Sequence, residues 1–183
     1  PLVTGVQTCA LPISSMEDDL ALVPDCIIRP FRPGDATEVR RLIEAVWQEH
    51  FGDHPDPFAR EFIHTRLGDV DHAETAYGDR ALFLCATVAD EIVGTGAIRR
   101  VDDRECELTR MFLTPAHRGR GIGQAIAQGL IRFARTAGYQ SIRLSSNKML
   151  AVSHRLYERL GFRATSPWEP DGETHSLYYR LEI

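Results

Sequence analysis

The stretch Leu108 to Gly123, LTRMFLTPAHRGRGIG, decides the fold of this chain. It starts as an apolar strand, passes through a loop with two arginines and three glycines, and leads into a helix. Glycine lets a backbone approach a ligand closely, and the first N–H groups of a helix are unpaired donors at the positive end of its dipole. The order strand, glycine loop, helix therefore predicts a pyrophosphate site, although a plain turn has the same pattern.

The spacing within the loop excludes one common phosphate motif and fits a second poorly. A P-loop needs Gly-Lys followed by Ser or Thr, and no such tripeptide follows here. The arrangement is R-x-x-G-x-G, with Arg118, Gly121 and Gly123, which is a poor match to the dinucleotide fingerprint. The loop is therefore a phosphate site of another kind or a simple turn.

Strand-like and helix-like segments alternate on both sides of this stretch. The helix that begins at about Gly121 is stopped by Gly138, and a strand over 141–145 follows. Residues 106–145 thus form a strand–helix–strand unit, which implies a parallel pair with a right-handed crossover. A hairpin turn at Asp90-Glu91 implies antiparallel neighbours. We predict an α/β fold with a mixed, mostly antiparallel central sheet and flanking helices.

The segment before the hairpin is predicted to hold a short strand and two helices. Asp35 is placed to cap the first helix, and Glu38 completes a capping box. Apolar residues recur at helical spacing after it, and a second, shorter helix is predicted over 58–67. Two short strands, over 162–165 and 176–182, close the chain.

Residues 1–15 differ from the rest because they carry no charge and no strand or helix period. A signal peptide is not expected, since the start is not basic and Pro12 interrupts the apolar run. Val3 to Ile13 resembles the translation of a common sequencing adapter. We expect residues 1–15 to be a non-native or disordered segment, and residues 16–183 to form a single domain that starts at or near Met16.

Composition limits the function classes. The 21 basic and 26 acidic residues give a net charge of −5, which argues against a nucleic-acid binder that relies on a positive field. No window approaches the roughly 18 apolar residues of a membrane span. The four cysteines are scattered without metal-like pairing, so we expect reduced cysteines in a cytoplasmic protein. His50 and His54 have helical spacing, but Gly52 and Pro55 should break that helix, and we expect no metal.

A second informative stretch is Ser145 to Phe162, SSNKMLAVSHRLYERLGF, in which Tyr157 falls within a predicted helix. Taken alone, such a tyrosine is ordinarily a packed aromatic. Together with the first stretch it resembles the GNAT superfamily of acetyl-CoA-dependent N-acetyltransferases, because RGRGIG follows an apolar strand and Tyr157 comes 34 positions after Gly123. The resemblance covers about residues 27–183 and implies a GNAT fold, an N-acetyltransferase domain over 16–183, acetyl-CoA as acyl donor and an amine as acceptor.

The resemblance also implies a coenzyme site. In the superfamily the glycine loop binds the pyrophosphate through backbone N–H groups, and the preceding strand pairs with the pantetheine arm and polarises the thioester carbonyl. Many members carry a coenzyme-contacting asparagine seven residues before the tyrosine, but that position is Leu150 here. Asn147, three residues earlier, is either a coenzyme contact or a turn residue. The residues that match the other coenzyme positions are Met111, Phe112, Leu113, Arg118, Gly119, Arg120, Gly121, Ile122, Gly123 and Gln124.

Two residues match catalytic positions of the superfamily. Tyr157 matches the tyrosine that protonates the leaving thiolate, and Glu107 matches a glutamate base that acts directly or through water. Strand alternation puts Glu105, Glu107 and Thr109 on one face, so the choice of base stays open, and a surface acid is the plain alternative.

The amine acceptor is the part of the reaction that the sequence specifies least. Acidic and histidine residues are frequent over 50–74 and 168–175, which is either a rim that attracts a cationic amine or a solvated acidic face. We expect a small amine or an amino acid, because the chain shows no docking segment or basic tail. Alternatives left open are a protein N-terminal or lysine acetyltransferase, a longer acyl chain, a non-catalytic coenzyme-binding sensor, and a homodimer.

Overall fold

The computed structural model describes residues 23–54, 66–168 and 175–183. Its centre is a seven-stranded sheet in the order β1-β2-β3-β4-β5-β7-β6. All neighbouring strands are antiparallel except β4 and β5, which are parallel. The strands are β1 Ile27–Pro30, β2 Leu82–Val88, β3 Glu91–Arg100, β4 Glu105–Leu113, β5 Ser141–Asn147, β6 Arg163–Thr165 and β7 Ser176–Glu182. The predicted mixed, mostly antiparallel α/β sheet with one parallel strand–helix–strand unit is confirmed.

Five α-helices lie in the described residues and cover the two faces of the sheet. Short 3-10 turns precede α1 and follow β4, at Pro33–Asp35 and Pro115–His117. The helices are α1 Ala36–Phe51, α2 Gly68–Asp71, α3 Ala73–Ala76, α4 Ile122–Thr136 and α5 Ala151–Arg159. The predicted residues 1–15 segment and most of the predicted 58–67 helix lie outside the described residues, so both stay predictions.

Two apolar clusters lie on opposite faces of the sheet. The first includes residues of α4 and α5, such as Ile126 and Tyr157, against Leu108 and Leu144 of β4 and β5. The second includes Val39 and Ile43 of α1, with residues of α2 and of the opposite face of β2 and β3. We call these the α4 face and the α1 face. Because alternate strand residues point to opposite faces, each β4 and β5 side chain is assigned to one of them.

The hairpin between β2 and β3 turns one residue earlier than predicted. Val88 pairs with Glu91, so the two turn residues are Ala89 and Asp90 rather than Asp90 and Glu91. Both have positive φ, at 49° and 67°. That backbone belongs to the mirror-image turn whose twist matches a hairpin, and the alternation of apolar residues could not locate it.

The predicted capping box at the start of α1 is wrong. Asp35 precedes α1 without a side-chain cap bond, because its carboxylate accepts hydrogen bonds from the Arg29 guanidinium at 2.6 and 2.9 Å and from the Arg32 N–H at 2.7 Å. Glu38 instead accepts a hydrogen bond from the Ile92 N–H at 2.7 Å. Both acids thus connect α1 to the sheet. Within the described ranges no helix is long and apolar enough to cross a bilayer.

Candidate active site

The parallel strands β4 and β5 pair at one end only. Their register runs from Glu105 opposite Ser141 to Glu107 opposite Arg143. Beyond this point β4 continues to Leu113 and β5 to Asn147 without pairing to each other. β3 pairs with β4 up to Leu113, and β7 pairs with β5 up to Asn147, so each strand keeps one neighbour. An opening therefore runs through the sheet between the two strands, and its backbone groups are available to an extended ligand.

The closed end of this opening is lined on the α1 face by charged side chains. Glu107 is buried, and its Oε2 accepts hydrogen bonds from Arg99 at 2.9 Å and from Arg143 at 3.5 Å. The Arg143 guanidinium lies over the Trp168 ring at 4.6 Å and also pairs with Glu105 at 3.7 Å. We call Glu105, Glu107, Arg99, Arg143 and Arg180 the charge cluster, since Arg180 pairs with Glu105 at 3.2 Å.

The charge cluster confirms part of the sequence reasoning and shows what it missed. Glu105, Glu107 and Thr109 share the α1 face as expected, because each pairs with or lies beside residues of that face. The three arginines were not identified from the sequence. Their partners lie on other strands, and only the strand register, which the sequence did not give, could have found them.

Two glycines of the loop have a left-handed backbone. Gly119 and Gly121 have φ of 74° and 85°, a left-handed region that L side chains rarely adopt. Gly121 is the N-cap of α4, so the first N–H groups of a fifteen-residue helix face out of the loop. A Cβ at Gly123 would meet Leu156 of α5 at 3.7 Å, which places α5 beside the loop. The loop and α5 together border the open end of the β4–β5 gap.

The two arginines of the loop differ in exposure and in their side-chain partners. Arg120 is exposed, whereas the Arg118 guanidinium forms two hydrogen bonds to the Glu49 carboxylate of α1, at 2.7 and 2.6 Å, and donates to the Leu113 carbonyl at 3.3 Å. The hydrogen bond from Arg118 is the main reason that the pKa of Glu49 lies below its ordinary value. The Arg118 charge is therefore compensated by α1, and Glu49 is a partner that the sequence gave no reason to select.

Tyr157 lies on the α4 face within α5. Its ring packs near Phe162 and Tyr179, with centroids 6.0 and 6.2 Å away. Burial raises the pKa of Tyr157 above its ordinary value, and the neighbouring Tyr179 adds to the shift. The phenol therefore stays protonated at neutral pH. Glu107 and Tyr157 thus lie on opposite faces of the sheet, which places a carboxylate and a proton donor on the two sides of the opening.

Asn147 is a turn residue in the structure. Its side-chain oxygen accepts a hydrogen bond from the Met149 N–H at 2.9 Å, which forms an Asx turn between β5 and α5. Its carbonyl oxygen is bonded to the buried His154 ring Nε2 at 3.0 Å. Because the carbonyl can only accept, Nε2 is the donor, and the bond fixes the histidine tautomer. Asn147 therefore sets the entry into the helix that carries Tyr157.

The acidic rim is partly neutralised where the structure describes it. Asp69 pairs with Arg110 at 2.7 Å, and Asp71 of the same helix pairs with Arg40. Other acidic residues of this rim that lie outside the described residues include Asp56, Glu169, Asp171 and Glu173. Among residues 23–54, 66–168 and 175–183, no group of three His, Cys, Asp or Glu side chains could hold a metal ion. Three cysteines in these ranges are free, with Cys85 and Cys106 buried.

Known proteins that are similar to this chain in sequence or in fold belong to one family. A sequence model of the acetyltransferase (GNAT) family matches residues 39–162. N-acetylaspartate synthetase of Danio rerio is 32% identical over 123 residues, which are 65% of this chain and 43% of that protein. The chain thus spans less than half the length of this curated relative.

Two solved structures share the fold at lower identity. The PaiA N-acetyltransferase of Thermoplasma acidophilum, in complex with coenzyme A, superposes with a TM-score of 0.73 at 16% identity and covers 86% of this chain and 99% of its own. A GNAT family acetyltransferase of Elizabethkingia anophelis with acetyl-CoA bound has a TM-score of 0.59, also at 16% identity, over 87% and 99% of the two chains.

Proposed function

Because the chain belongs to the acetyltransferase (GNAT) family, we propose that it transfers an acetyl group from acetyl-CoA to the primary amine of a small amino acid. The observation that carries this proposal is the opening between β4 and β5, with a glycine loop at one end and Glu107 and Tyr157 on opposite faces. Such an opening lets the donor lie in the sheet while an amine arrives from one face and a thiol leaves on the other.

The coenzyme is assigned to the loop and the open edge of β4. The N–H groups of residues 119–124 bind the pyrophosphate, since two left-handed glycines and a helix N-terminus suit an anion. Arg120 adds charge, whereas Arg118 shapes the loop, because its guanidinium holds Glu49 and its N–H donates to the Pro115 carbonyl at 3.2 Å. The edge of Met111, Phe112 and Leu113 pairs with the pantetheine arm, because it has no partner on β5. The Asn147 side chain forms the turn that leads into α5, beside the coenzyme edge.

Substitution of Gly121 by alanine tests the loop. A Cβ at a φ of 85° costs about 1 kcal/mol or more, and the loop relaxes away from the shape that presents its N–H groups. Gly138→Ala is a matched control, because Gly138 ends α4 far from the loop with a φ of 81°. Calorimetric titration should show coenzyme A binding at least about 10-fold weaker in Gly121→Ala than in Gly138→Ala, at similar melting temperatures. Equal affinities would remove the loop from the binding site.

Acetyl transfer requires two proton movements. The attacking amine loses a proton as its nitrogen bonds to the thioester carbonyl carbon, and the sulfur gains a proton as the carbon–sulfur bond breaks. Tyr157 supplies the second proton, since its raised pKa keeps the phenol protonated and its ring lies on the α4 face of the opening. Backbone N–H groups of β4 polarise the carbonyl oxygen, a contribution of about 3 kcal/mol.

Tyr157→Phe removes the proton donor and keeps the ring. We expect kcat to fall about 100-fold, with little change in the KM for acetyl-CoA or in the melting temperature. Tyr179→Phe is the control, because Tyr179 is buried in the same cluster. In the wild type, the Tyr157 phenol should not limit kcat between pH 7 and 9, since its pKa lies above the ordinary value near 10. Wild-type kcat in Tyr157→Phe would exclude an essential acid.

Glu107 is the base in this proposal. It lies at the last β4–β5 pair on the α1 face, and hydrogen bonds from Arg99 and Arg143 fix the position of its carboxylate. The proton passes directly or through one water molecule, as Glu107 is hydrogen-bonded and buried at the closed end of the opening.

Glu107→Gln tests the base, and Glu105→Gln is the matched control on the same strand and face. Both glutamates pair with Arg143, at 3.5 and 3.7 Å, so both substitutions remove a similar ion pair. We expect kcat/KM to fall about 100-fold in Glu107→Gln and to change little in Glu105→Gln. Steady-state rates over pH 6–9 measure this difference. An equal loss in both variants would assign their effect to the ion pairs.

The charge cluster supports an amino acid as acceptor. It brings arginines and glutamates together beside the closed end of the opening, with Arg99 half-exposed. A zwitterion offers an ammonium group to Glu107 and a carboxylate to a guanidinium, and arginine binds carboxylates with two parallel hydrogen bonds. The relative from Danio rerio is named for N-acetylaspartate, which is the acetylated form of such an acceptor.

A panel of acceptors tests the reaction and its class together. Free thiol release from acetyl-CoA is measured with aspartate, glutamate, their decarboxylated amines, polyamines and N-terminal peptides. We expect release with amino acids, and at least a 10-fold lower kcat/KM for an amine that lacks the α-carboxylate. Preference for peptides would favour a protein acetyltransferase. Coenzyme binding without release for any amine would favour a sensor.

Compartment and assembly follow less directly. We place the enzyme in the cytoplasm, because free buried cysteines such as Cys85 and Cys106 are usual in reducing compartments. A homodimer stays a prediction from the resemblance alone.

A further inference from the structure

Strand β4 contains a bulge inside the proposed coenzyme edge. Thr95 of β3 lies opposite Phe112 and Ala97 lies opposite Thr109, so Gly96 alone faces both Arg110 and Met111. Arg110 has a φ of 55°, which is uncommon for a residue with a side chain and is unfavourable without support. The buried Thr95 hydroxyl donates a hydrogen bond to the Arg110 carbonyl at 2.8 Å.

The bulge changes which face each later residue of β4 occupies. Strict alternation from Glu107 and Thr109 would put Arg110 on the α4 face. Its side chain instead reaches Asp69 of α2, on the α1 face, while Met111 packs with the α4 cluster and Phe112 with the α1 cluster. Without the bulge, every residue of the coenzyme edge would be turned to the opposite face.

A buried ion pair holds Arg110 in place. Its Nε and one Nη donate to the two Asp69 carboxylate oxygens at 3.0 and 2.7 Å, and the same Nη donates to the Arg66 carbonyl at 2.6 Å. The Tyr77 hydroxyl donates to Asp69 at 2.6 Å. Burial alone would raise the pKa of Asp69, but the bonds from Arg110 and Tyr77 lower it. Both carboxylate oxygens of Asp69 and two nitrogens of the Arg110 guanidinium therefore have hydrogen-bond partners.

We propose that Asp69 is a positioning residue for acetyl transfer, which acts through Arg110 to hold the β4 bulge in register. This rests on the proposed function. Asp69 does not touch the reacting atoms. It fixes the Arg110 side chain on the α1 face, and the left-handed backbone at that residue sets the direction of the Met111 N–H, the amide that the thioester carbonyl needs. The Tyr77 hydroxyl keeps Asp69 in the bidentate geometry.

Asp69→Asn tests the positioning role against a control from the same helix. Asp71→Asn also breaks an aspartate–arginine pair, with Arg40 of α1, but does not reach β4. We expect kcat to fall about 10-fold or more in Asp69→Asn, with the KM values for acetyl-CoA and acceptor within about twofold, and little change in Asp71→Asn. The kcat of Tyr77→Phe should lie between the values of these two variants. Tyr77→Phe replaces Asp69→Asn in the test if Asp69→Asn is poorly folded.

Two kinetic results would overturn the proposal. A large increase in acceptor KM with unchanged kcat would make the Asp69–Arg110 pair part of the acceptor site. Equal losses of kcat in Asp69→Asn and Asp71→Asn would show that the Asp69–Arg110 pair contributes only to the stability of the fold.

Hydrogen exchange separates this proposal from the proposed function. The amides of residues 110–112 should exchange at least about 10-fold faster in Asp69→Asn than in wild type, and at wild-type rates in Asp71→Asn. This readout does not need turnover. Inactive wild type with the expected exchange would reject acetyl transfer and keep the ion pair as the support of the bulge. Active wild type with unchanged exchange in Asp69→Asn would reject the positioning role.

Arg110 itself offers a second comparison. Arg110→Gly and Arg110→Ala both remove the guanidinium, but only glycine adopts a φ of 55° without strain. If the ion pair serves the backbone, Arg110→Gly should keep at least about fivefold more kcat than Arg110→Ala. Equal activities would show that the guanidinium, and not the bulge geometry, is what the reaction needs.

Discussion

The candidate site depends on the short pairing between β4 and β5. The two parallel strands exchange backbone hydrogen bonds from Glu105 to Glu107 and then part, while β3 and β7 hold their other edges. The sheet can therefore open in its middle without leaving either strand unsupported. Glu107 and Tyr157 lie on opposite faces of the sheet, so the two side chains border the opening from its two sides.

Two arginines connect the far end of this opening to the α1 face, and the two connections differ in strength. The Arg110–Asp69 pair is largely buried, with side chains 17% and 29% exposed, and it has additional hydrogen bonds from Tyr77 and to Arg66. The Arg118–Glu49 pair is about one-third exposed. Breaking a buried pair leaves an uncompensated charge, whereas an exposed pair contributes little net stability. The Arg110–Asp69 pair therefore holds β4 more firmly than the Arg118–Glu49 pair holds the glycine loop.

Local sequence patterns predicted the parts of the fold that local chemistry determines. Glycines at 119, 121 and 138 take the left-handed backbone, and the apolar spacing after Gly121 gives α4. Two predictions were wrong because the apolar and capping patterns do not report ion pairs or backbone angles. The Asp35 carboxylate bonds to Arg29 of β1 and does not cap α1, and the positive φ of Ala89 and Asp90 places the hairpin turn one residue earlier. Arg110 in the β4 bulge pairs with Asp69, 41 residues earlier, and no local pattern reports such a contact.

The acceptor question shows why net charge is a poor guide to a site. The chain carries a charge of −5, and its acidic residues cluster in the segments expected around the acceptor. The structure nevertheless pairs Asp69 and Asp71 with arginines and assembles more guanidinium groups beside Glu107 than the sequence indicated. A cluster in which each carboxylate already has a cationic partner gives a polyamine no unpaired anion to bind. A zwitterion brings its own carboxylate for a guanidinium when its ammonium group takes Glu107, so both exchanged partners stay compensated. Under the proposed reaction, local pairing therefore favours an amino acid, whereas the acidic segments considered alone favour a cationic amine.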